Sequence, residues 1–144
     1  MPELLTIGYE GATQAEVIAK LKSARVELLV DVRAVAASRR AGFSKTILAA
    51  SLAAEGIDYI HLHGLGTPKA GREAARKGRI AEMHRIFGAH LETPEAQLDM
   101  AKAEELVTAR RAALLCFEAD AAGCHRRVIA ERLAQSVGAV AVDL

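Results

Sequence analysis

Four short apolar runs alternate with segments of helical periodicity, and each run ends in polar residues. The runs are 4–7, 28–30, 57–60 and 112–115. Each has the length of a strand, and strands that alternate with helices pack as a three-layer α/β/α domain with a mainly parallel sheet. Because the carboxyl ends of parallel strands gather at one edge of a sheet, the polar residues after each run predict a ligand site at that edge.

A single α/β domain of residues 1–144 is predicted, because no repeat or linker-like tract divides the chain. A helical insert of about residues 67–111 precedes the fourth strand. Segment 65–78 is rich in glycine, which is typical of a mobile lid loop or of an ordinary surface connection. The sheet has about five strands. The patterns predict strands at 4–8, 26–32, 57–62, 112–117 and 139–143, and further helices at 13–23, 44–55 and 124–136.

Hydroxyl side chains mark the predicted starts of three helices. Thr13 and Glu16 have the spacing of a capping box, and Ser44 is the expected N-cap of the second helix. Thr93 precedes Pro94, which suits the first position of a helix. The predicted buried face of the second helix consists of Ile47, Leu48 and Leu52.

Composition argues against several classes of protein. Apolar residues make up 51% of the chain, but the longest apolar stretches are well below the ~20 residues of a membrane span. Residues 1–3 do not resemble the start of a signal peptide. The chain has two cysteines, too few for a disulfide scaffold, so we expect a cytoplasmic protein with no membrane partner.

Local charge is more informative than the net charge of +1. Residues 32–54 contain four basic side chains and no acidic one, and 69–85 contain six against two. Residues 92–105 reverse the sign, with five acids against one lysine. A basic region beside the strand edge suits an anionic ligand. The alternative for 69–105 is a pair of solvated helix faces of opposite charge.

The densest group of reactive side chains follows the fourth strand. Glu118 ends this strand, and Cys124, His125 and Arg126 open the next helix. Backbone N–H groups at a helix start attract anions and favour a thiolate, and an arginine can bind a phosphate with two hydrogen bonds. Cys116 and Arg126 are ten residues apart, which does not match the spacing of about six in phosphatase and rhodanese loops.

Structural explanations stand beside these roles. Cys116 suits a small buried apolar position, and Cys124 suits a packed residue at the helix start. A zinc site made of these cysteines, His125 and either His61 or His63 lacks any recognised ligand spacing, so no metal ligand is predicted.

A second group follows the other strands. Asp31 and Arg33 lie on the same face of a strand end and can form an ion pair, either to position the guanidinium for a ligand or to hold the following loop. Candidate catalytic residues are Asp31, Glu118, Cys124 and His125. Candidate substrate-binding residues are Gly8, Tyr9, Arg33, Ser38, Arg39, His61 and Arg126.

These sites predict an enzyme that acts on an anionic substrate, nucleotide-like or phosphorylated, at the carboxyl edge of the sheet. The alternative is a non-catalytic module that binds a nucleotide or nucleic acid. Aromatic residues are only 3% of the chain, which makes a small ligand more plausible than stacked nucleic-acid bases. The residues identify neither a reaction class, nor a cofactor, nor an oligomeric state.

Six motifs follow one another along the chain: 6–11, 30–33, 38–39 with 42–45, 56–59 with 65–66, 115–118 and 124–126. Together they resemble the successive motifs of the DUF488 family. The resemblance spans essentially the whole chain, with one departure, since Ala36 and Ala37 stand where the family often has proline before Ser38. It implies the α/β fold and the site, but no established reaction, because the family is a domain of unknown function.

Overall fold

Helices cover both faces of a parallel sheet in this protein. The computed structural model describes residues 2–118 and 125–144, and these residues form five strands and six α-helices. The predicted three-layer α/β/α architecture is confirmed. The strands are β1 (Glu3–Gly8), β2 (Leu28–Asp31), β3 (Asp58–His61), β4 (Ala112–Cys116) and β5 (Val140–Asp143). The helices are α1 (Gln14–Ser23), α2 (Lys45–Ala54), α3 (Lys69–Arg76), α4 (Ile80–His90), α5 (Pro94–Ala109) and α6 (Arg126–Val137).

The strand order is β3-β2-β4-β1-β5, and every described strand pair is parallel. β4 therefore occupies the middle of the sheet, between β1 and β2. All five of its residues are buried, and so are all four of β2. A strand covered on both faces cannot alternate apolar and polar residues, which explains why these strands appear in the sequence as continuous apolar runs.

Two separate apolar cores lie on the two faces of the sheet. On one face, Val17 and Leu21 of α1 and Leu48 of α2 pack against strand residues such as Leu5 and Leu29. The residues that follow Leu5 and Leu29 in sequence point the opposite way. On the other face the core contains α4, α5 and α6, through Met83, Phe87, Ala96, Ala103, Ile129 and Leu133.

Neighbouring strands consequently continue into helices on opposite faces. The chain leaves β1 and β2 toward α1 and α2 on one face, while β4 is followed by α6 on the other. A crevice opens at the carboxyl ends of such strands, because the two connections diverge. β4 diverges in this way from both of its neighbours, so the topology places the crevice at its end.

Helix starts confirm two of the three predicted caps. Thr13 and Glu16 form a complete capping box, and the Thr93 hydroxyl accepts from the N–H of Ala96. Ser44 holds the N-cap position of α2, but its hydroxyl bonds the backbone of Ser38 instead of capping. The N–H of Ser38 donates to the Ser44 hydroxyl at 3.1 Å, so a contact within the loop replaces the cap.

The predicted inner face of α2 is correct at Leu48 and Leu52, which are fully buried, and wrong at Ile47, which is 56% exposed. Leu48 and Leu52 are four residues apart and share one side of the helix. Ile47 lies about 100° from Leu48 around the helix axis, on the side that faces solvent.

The insert between β3 and β4 is helical, as predicted, and segment 65–78 is more ordered than expected. Residues His63–Leu65 form a single 3-10 turn, and 69–76 form α3, where a loop was expected. α3 packs mainly against α4. None of the helices in residues 2–118 and 125–144 combines the length and the apolar character that crossing a bilayer requires.

Gly66 is where the insert touches the loop that follows β2. An added Cβ at Gly66 would overlap the backbone of Ala34. We expect Gly66→Ala to lower the free energy of unfolding by about 1–3 kcal/mol, because neither backbone can move without disturbing the strand end. Urea denaturation measures this change.

Gly88→Ala is the matched control, since a Cβ on this residue of α4 meets no atom within 4 Å. Alanine there should be neutral or stabilise the helix by up to about 1 kcal/mol. Equal effects of the two substitutions would contradict the close approach at Gly66.

Candidate functional site

A cavity of about 440 Å³ lies at the carboxyl edge of the sheet, at the point where the connections diverge. Tyr9 and Glu10 line it from the end of β1, 33–35 from the segment after β2, and 116–118 from the end of β4. Side chains of α3 and α4 also line it. The volume falls within the usual range of small-molecule sites, about 300–1,000 Å³.

Asp31 and Arg33 form a buried ion pair at the end of β2. Arg33 Nη2 donates to Asp31 Oδ2 at 2.7 Å and Arg33 Nε to Oδ1 at 2.9 Å. The hydroxyl of Tyr59 on β3 also donates to Asp31 Oδ2. Burial alone would lower the pKa of Arg33. The hydrogen bonds to Asp31 and its negative charge outweigh this effect, so the pKa of Arg33 lies above its ordinary value. For Tyr59, burial and the hydrogen bond to Asp31 both raise the pKa.

The remaining contacts of Arg33 tie the following loop to the sheet. Nη1 donates to the carbonyl of Phe43 at 2.8 Å and to the Tyr9 hydroxyl at 3.1 Å. The rings of Tyr9 and Phe43 stack with their centroids 4.2 Å apart. Arg33 lines the cavity, yet most of its donors serve protein acceptors. Its main task is therefore to hold the loop after β2 against β1.

Arg126 performs a similar task at the end of β4. Its side chain is fully buried, and Nη1 donates to the Glu118 carbonyl and to Cys116 Sγ, the latter at 3.0 Å. Gly8 completes this junction, since a Cβ there would overlap the same Glu118 carbonyl. Gly8 and Arg126 thus fix the backbone from which the Glu118 side chain reaches the cavity.

Two carboxyl groups share the wall formed by β1 and β4. The N–H of Glu10 donates to the carbonyl of Phe117 at 2.7 Å, which fixes the two strand ends side by side. Burial raises the pKa of Glu118, and the charge of Glu10 raises it further, while Arg126 acts in the opposite sense. A carboxyl group in this environment can hold a proton that an exposed glutamate would lose.

His125 lies at the start of α6 and lines the cavity as a neutral side chain. Its Nε2 is 2.7 Å from the carbonyl of Val32, so Nε2 carries the proton and donates to that oxygen. The ring packs edge-on against Phe87. Burial lowers the pKa of His125 to about 4, and the charge of Arg126 adds to this effect.

Four of the residues predicted from sequence line the cavity: Tyr9, Arg33, Glu118 and His125. Asp31, Gly8 and Arg126 lie behind its wall, where they hold these residues in place.

Three other predicted residues do not line the cavity. The Ser38 hydroxyl accepts from the N–H of Arg40 within its own loop, and Arg39 is exposed. His61 Nε2 bonds the Arg33 carbonyl at 2.6 Å. Cys124 lies outside the described residues. No group of three or more histidine, cysteine or acidic side chains that could hold a metal ion occurs in the described part of the chain.

Arg72 and Arg76 of α3 line the cavity, and neither was singled out from the sequence. They are four residues apart, so they extend from the same face of the helix. Arg72 Nη1 also donates to the Thr67 carbonyl at 2.9 Å. The i, i+4 spacing within the basic stretch 69–85 was a usable signal, but only the fold shows that this face looks toward the strand ends.

Asp31→Asn should destabilise the protein by about 3–5 kcal/mol, because it leaves the Arg33 charge buried without its counter-ion. Asp58→Asn is the control, since Asp58 pairs with Arg110 in an exposed bridge that is worth no more than about 1 kcal/mol. Chemical denaturation of both variants measures the difference. Similar unfolding midpoints would show that the buried pair contributes little.

His125 should make stability depend on pH. The unfolded chain binds a proton near pH 6.5 and the folded chain only near pH 4, so stability falls as the pH drops through this window. The slope approaches about 1.4 kcal/mol per pH unit. His125→Gln should remove this component from the pH dependence of unfolding, whereas His63→Gln, at an exposed site beside Glu95, should keep it. A wild-type slope in His125→Gln would contradict the buried neutral imidazole.

Comparisons with known proteins agree with the resemblance of the motifs. No curated protein and no solved structure matches the chain. The profile of one family, described as "Domain of unknown function DUF488", matches residues 13–133 of the 144-residue chain. This range extends from the N-cap of α1 to the middle of α6 and so includes most of the residues that line the cavity. The chain therefore belongs to the DUF488 family.

Proposed function

We propose that the protein is an enzyme that acts on a small phosphorylated or nucleotide-like substrate in the cavity at the carboxyl edge of the sheet. The observation that carries the proposal is that cationic side chains of a helix and carboxyl groups of the strand ends line the same cavity. Arg72 and Arg76 line it from α3, and Glu10 and Glu118 line it from the strand ends. Such an arrangement can bind an anionic group on one side and exchange a proton on the other.

The two arginines of α3 are the proposed anion-binding residues. A guanidinium offers several donors in a planar fork that matches the oxygens of a phosphate. Arg76 is exposed and Arg72 half-buried, so a ligand can reach both. Arg33 also lines the cavity, but its guanidinium donates to Asp31, Tyr9 and Phe43, and Nη1 of the buried Arg126 donates to Cys116 and Glu118.

Glu118 is the proposed proton donor or acceptor. Its raised pKa brings it closer to neutral pH, where a general acid or base works best. His125 is less suited to the role, because its Nε2 proton is engaged by the Val32 carbonyl and its pKa is lowered.

One observation favours the alternative of a binding module without catalysis. Asp31, a candidate catalytic residue, instead accepts structural hydrogen bonds from Arg33 and Tyr59. A cavity of the same shape could then bind a nucleotide as a signal and leave it unchanged.

A thermal-shift titration with inorganic phosphate and adenosine 5′-monophosphate tests binding. Ligand that binds the native state raises the melting temperature by mass action, by the equivalent of about 2.7 kcal/mol at a hundredfold excess over Kd. The wild type should be stabilised, and the double variant Arg72→Ala/Arg76→Ala should not.

Lys69→Ala/Lys77→Ala is the matched control, because it removes the same charge from the first residue and the C-cap of α3, at exposed positions outside the cavity lining. If both double variants lose the ligand-induced rise in melting temperature equally, the effect reflects the overall charge of the helix, and the proposed anion site at Arg72 and Arg76 is refuted. Chromatography of the incubated nucleotide separates the two functions. Turnover that disappears in Glu118→Gln while binding of inorganic phosphate remains supports the enzyme, and binding with no turnover in the wild type supports the module.

A further inference from the structure

Besides cationic and acidic side chains, the cavity has exposed apolar ones, which an anion-binding site alone does not require. Most large apolar side chains of the described residues are buried. Among the exposed ones, Ile47, Leu98 and Val140 lie elsewhere, and two are near the strand ends: Val35, 55% exposed, and Phe117, 40% exposed. Both line the cavity. Exposure of apolar side chains at a concave site marks a surface that a ligand covers.

Phe117 offers the surface of a fixed aromatic ring. Tyr9 contacts this ring edge-on, with centroids 5.3 Å apart and planes at 82°. Tyr9 is itself held by its stack on Phe43. A ring with so little freedom loses little conformational entropy when a flat ligand stacks on it. Phe117 and Val35 therefore suit a planar, weakly polar group such as a nucleobase.

The part of the cavity lined by carboxyl groups suits a different part of a ligand. Two neighbouring carboxyl groups, those of Glu10 and Glu118, repel an anion and accept hydrogen bonds from neutral donors. A pair of adjacent hydroxyl groups supplies two such donors. Binding of ribose hydroxyls by an acidic side chain at the end of a parallel strand is a general solution in nucleotide sites.

We propose that the ligand is a ribonucleoside monophosphate, with its base against Val35 and Phe117 and its ribose hydroxyls on Glu10 and Glu118. Its phosphate occupies the side of Arg72 and Arg76, so this inference rests on the proposed function of that site. The three groups of side chains supply one partner for each part of a nucleotide, and the cavity volume of about 440 Å³ suits a small ligand of this kind.

Isothermal titration of the wild-type protein with four probes tests the assignment: adenosine 5′-monophosphate, its 2′-deoxy form, ribose 5-phosphate and inorganic phosphate. The ribonucleotide should bind about tenfold tighter than the deoxynucleotide, because one hydroxyl contact to a carboxylate is lost. It should also bind about tenfold tighter than ribose 5-phosphate, which lacks the base. Cytidine, guanosine and uridine monophosphates in parallel determine which base is preferred.

Two variants test which side chains cause the preference for the ribose hydroxyl and which cause the preference for the base. Glu10→Gln should close the gap between ribonucleotide and deoxynucleotide but keep the advantage over ribose 5-phosphate. Phe117→Ala should remove the advantage of the ribonucleotide over ribose 5-phosphate but keep its advantage over the deoxynucleotide. Glu105→Gln and Leu98→Ala are controls, since both residues are exposed and neither lines the cavity. Both preferences should persist in the controls, and melting curves confirm that each variant is folded.

The possible failures are distinguishable. If the phosphates bind with equal affinity whatever sugar or base they carry, the nucleotide assignment is overturned and the anion site stands. If none of the probes binds, including inorganic phosphate and all four nucleotides, both this assignment and the proposed function are overturned.

Discussion

The position of β4 between β1 and β2 is the constraint on which the rest of the structure depends. β4 follows the helical insert in sequence, yet it occupies the middle of the sheet and pairs with β1 and β2. The next described helix, α6, packs on one face of the sheet, while α1 and α2 cover the other. The crevice at its carboxyl end is a consequence of this divergence, and the cavity occupies it.

Diverging connections leave strand ends without a helix to cover them, and buried polar groups stabilise those ends. Arg33 joins the end of β2 to the Phe43 carbonyl and Tyr9, and Arg126 joins the end of β4 to the Glu118 carbonyl. Burial of a guanidinium is costly, and hydrogen bonds from its donors to protein acceptors offset much of that cost. Arg33 and Nη1 of Arg126 donate to protein acceptors, whereas Arg72 and Arg76 line the cavity at half-buried and exposed positions.

The candidate site was predictable in part. Tyr9, Arg33, Glu118 and His125 follow or flank strand ends, and alternation with helices is enough to place them at one edge. Ser38 and His61 satisfy the same rule but bond backbone groups beside them. Sequence position shows that a side chain is near the edge, whereas its hydrogen-bond partners decide whether it faces a ligand.

The sequence by itself determined the layers, the parallel sheet, the caps at Thr13 and Thr93 and the membership in DUF488, because these follow from local periodicity, local hydrogen bonds and ordered motifs. Tertiary structure alone decided the strand order, the burial of Arg126 and the approach of α3 to the strand ends. The reason is physical: these features depend on contacts between segments far apart in the chain, and no local pattern records which partner a buried charge or a helix face will find.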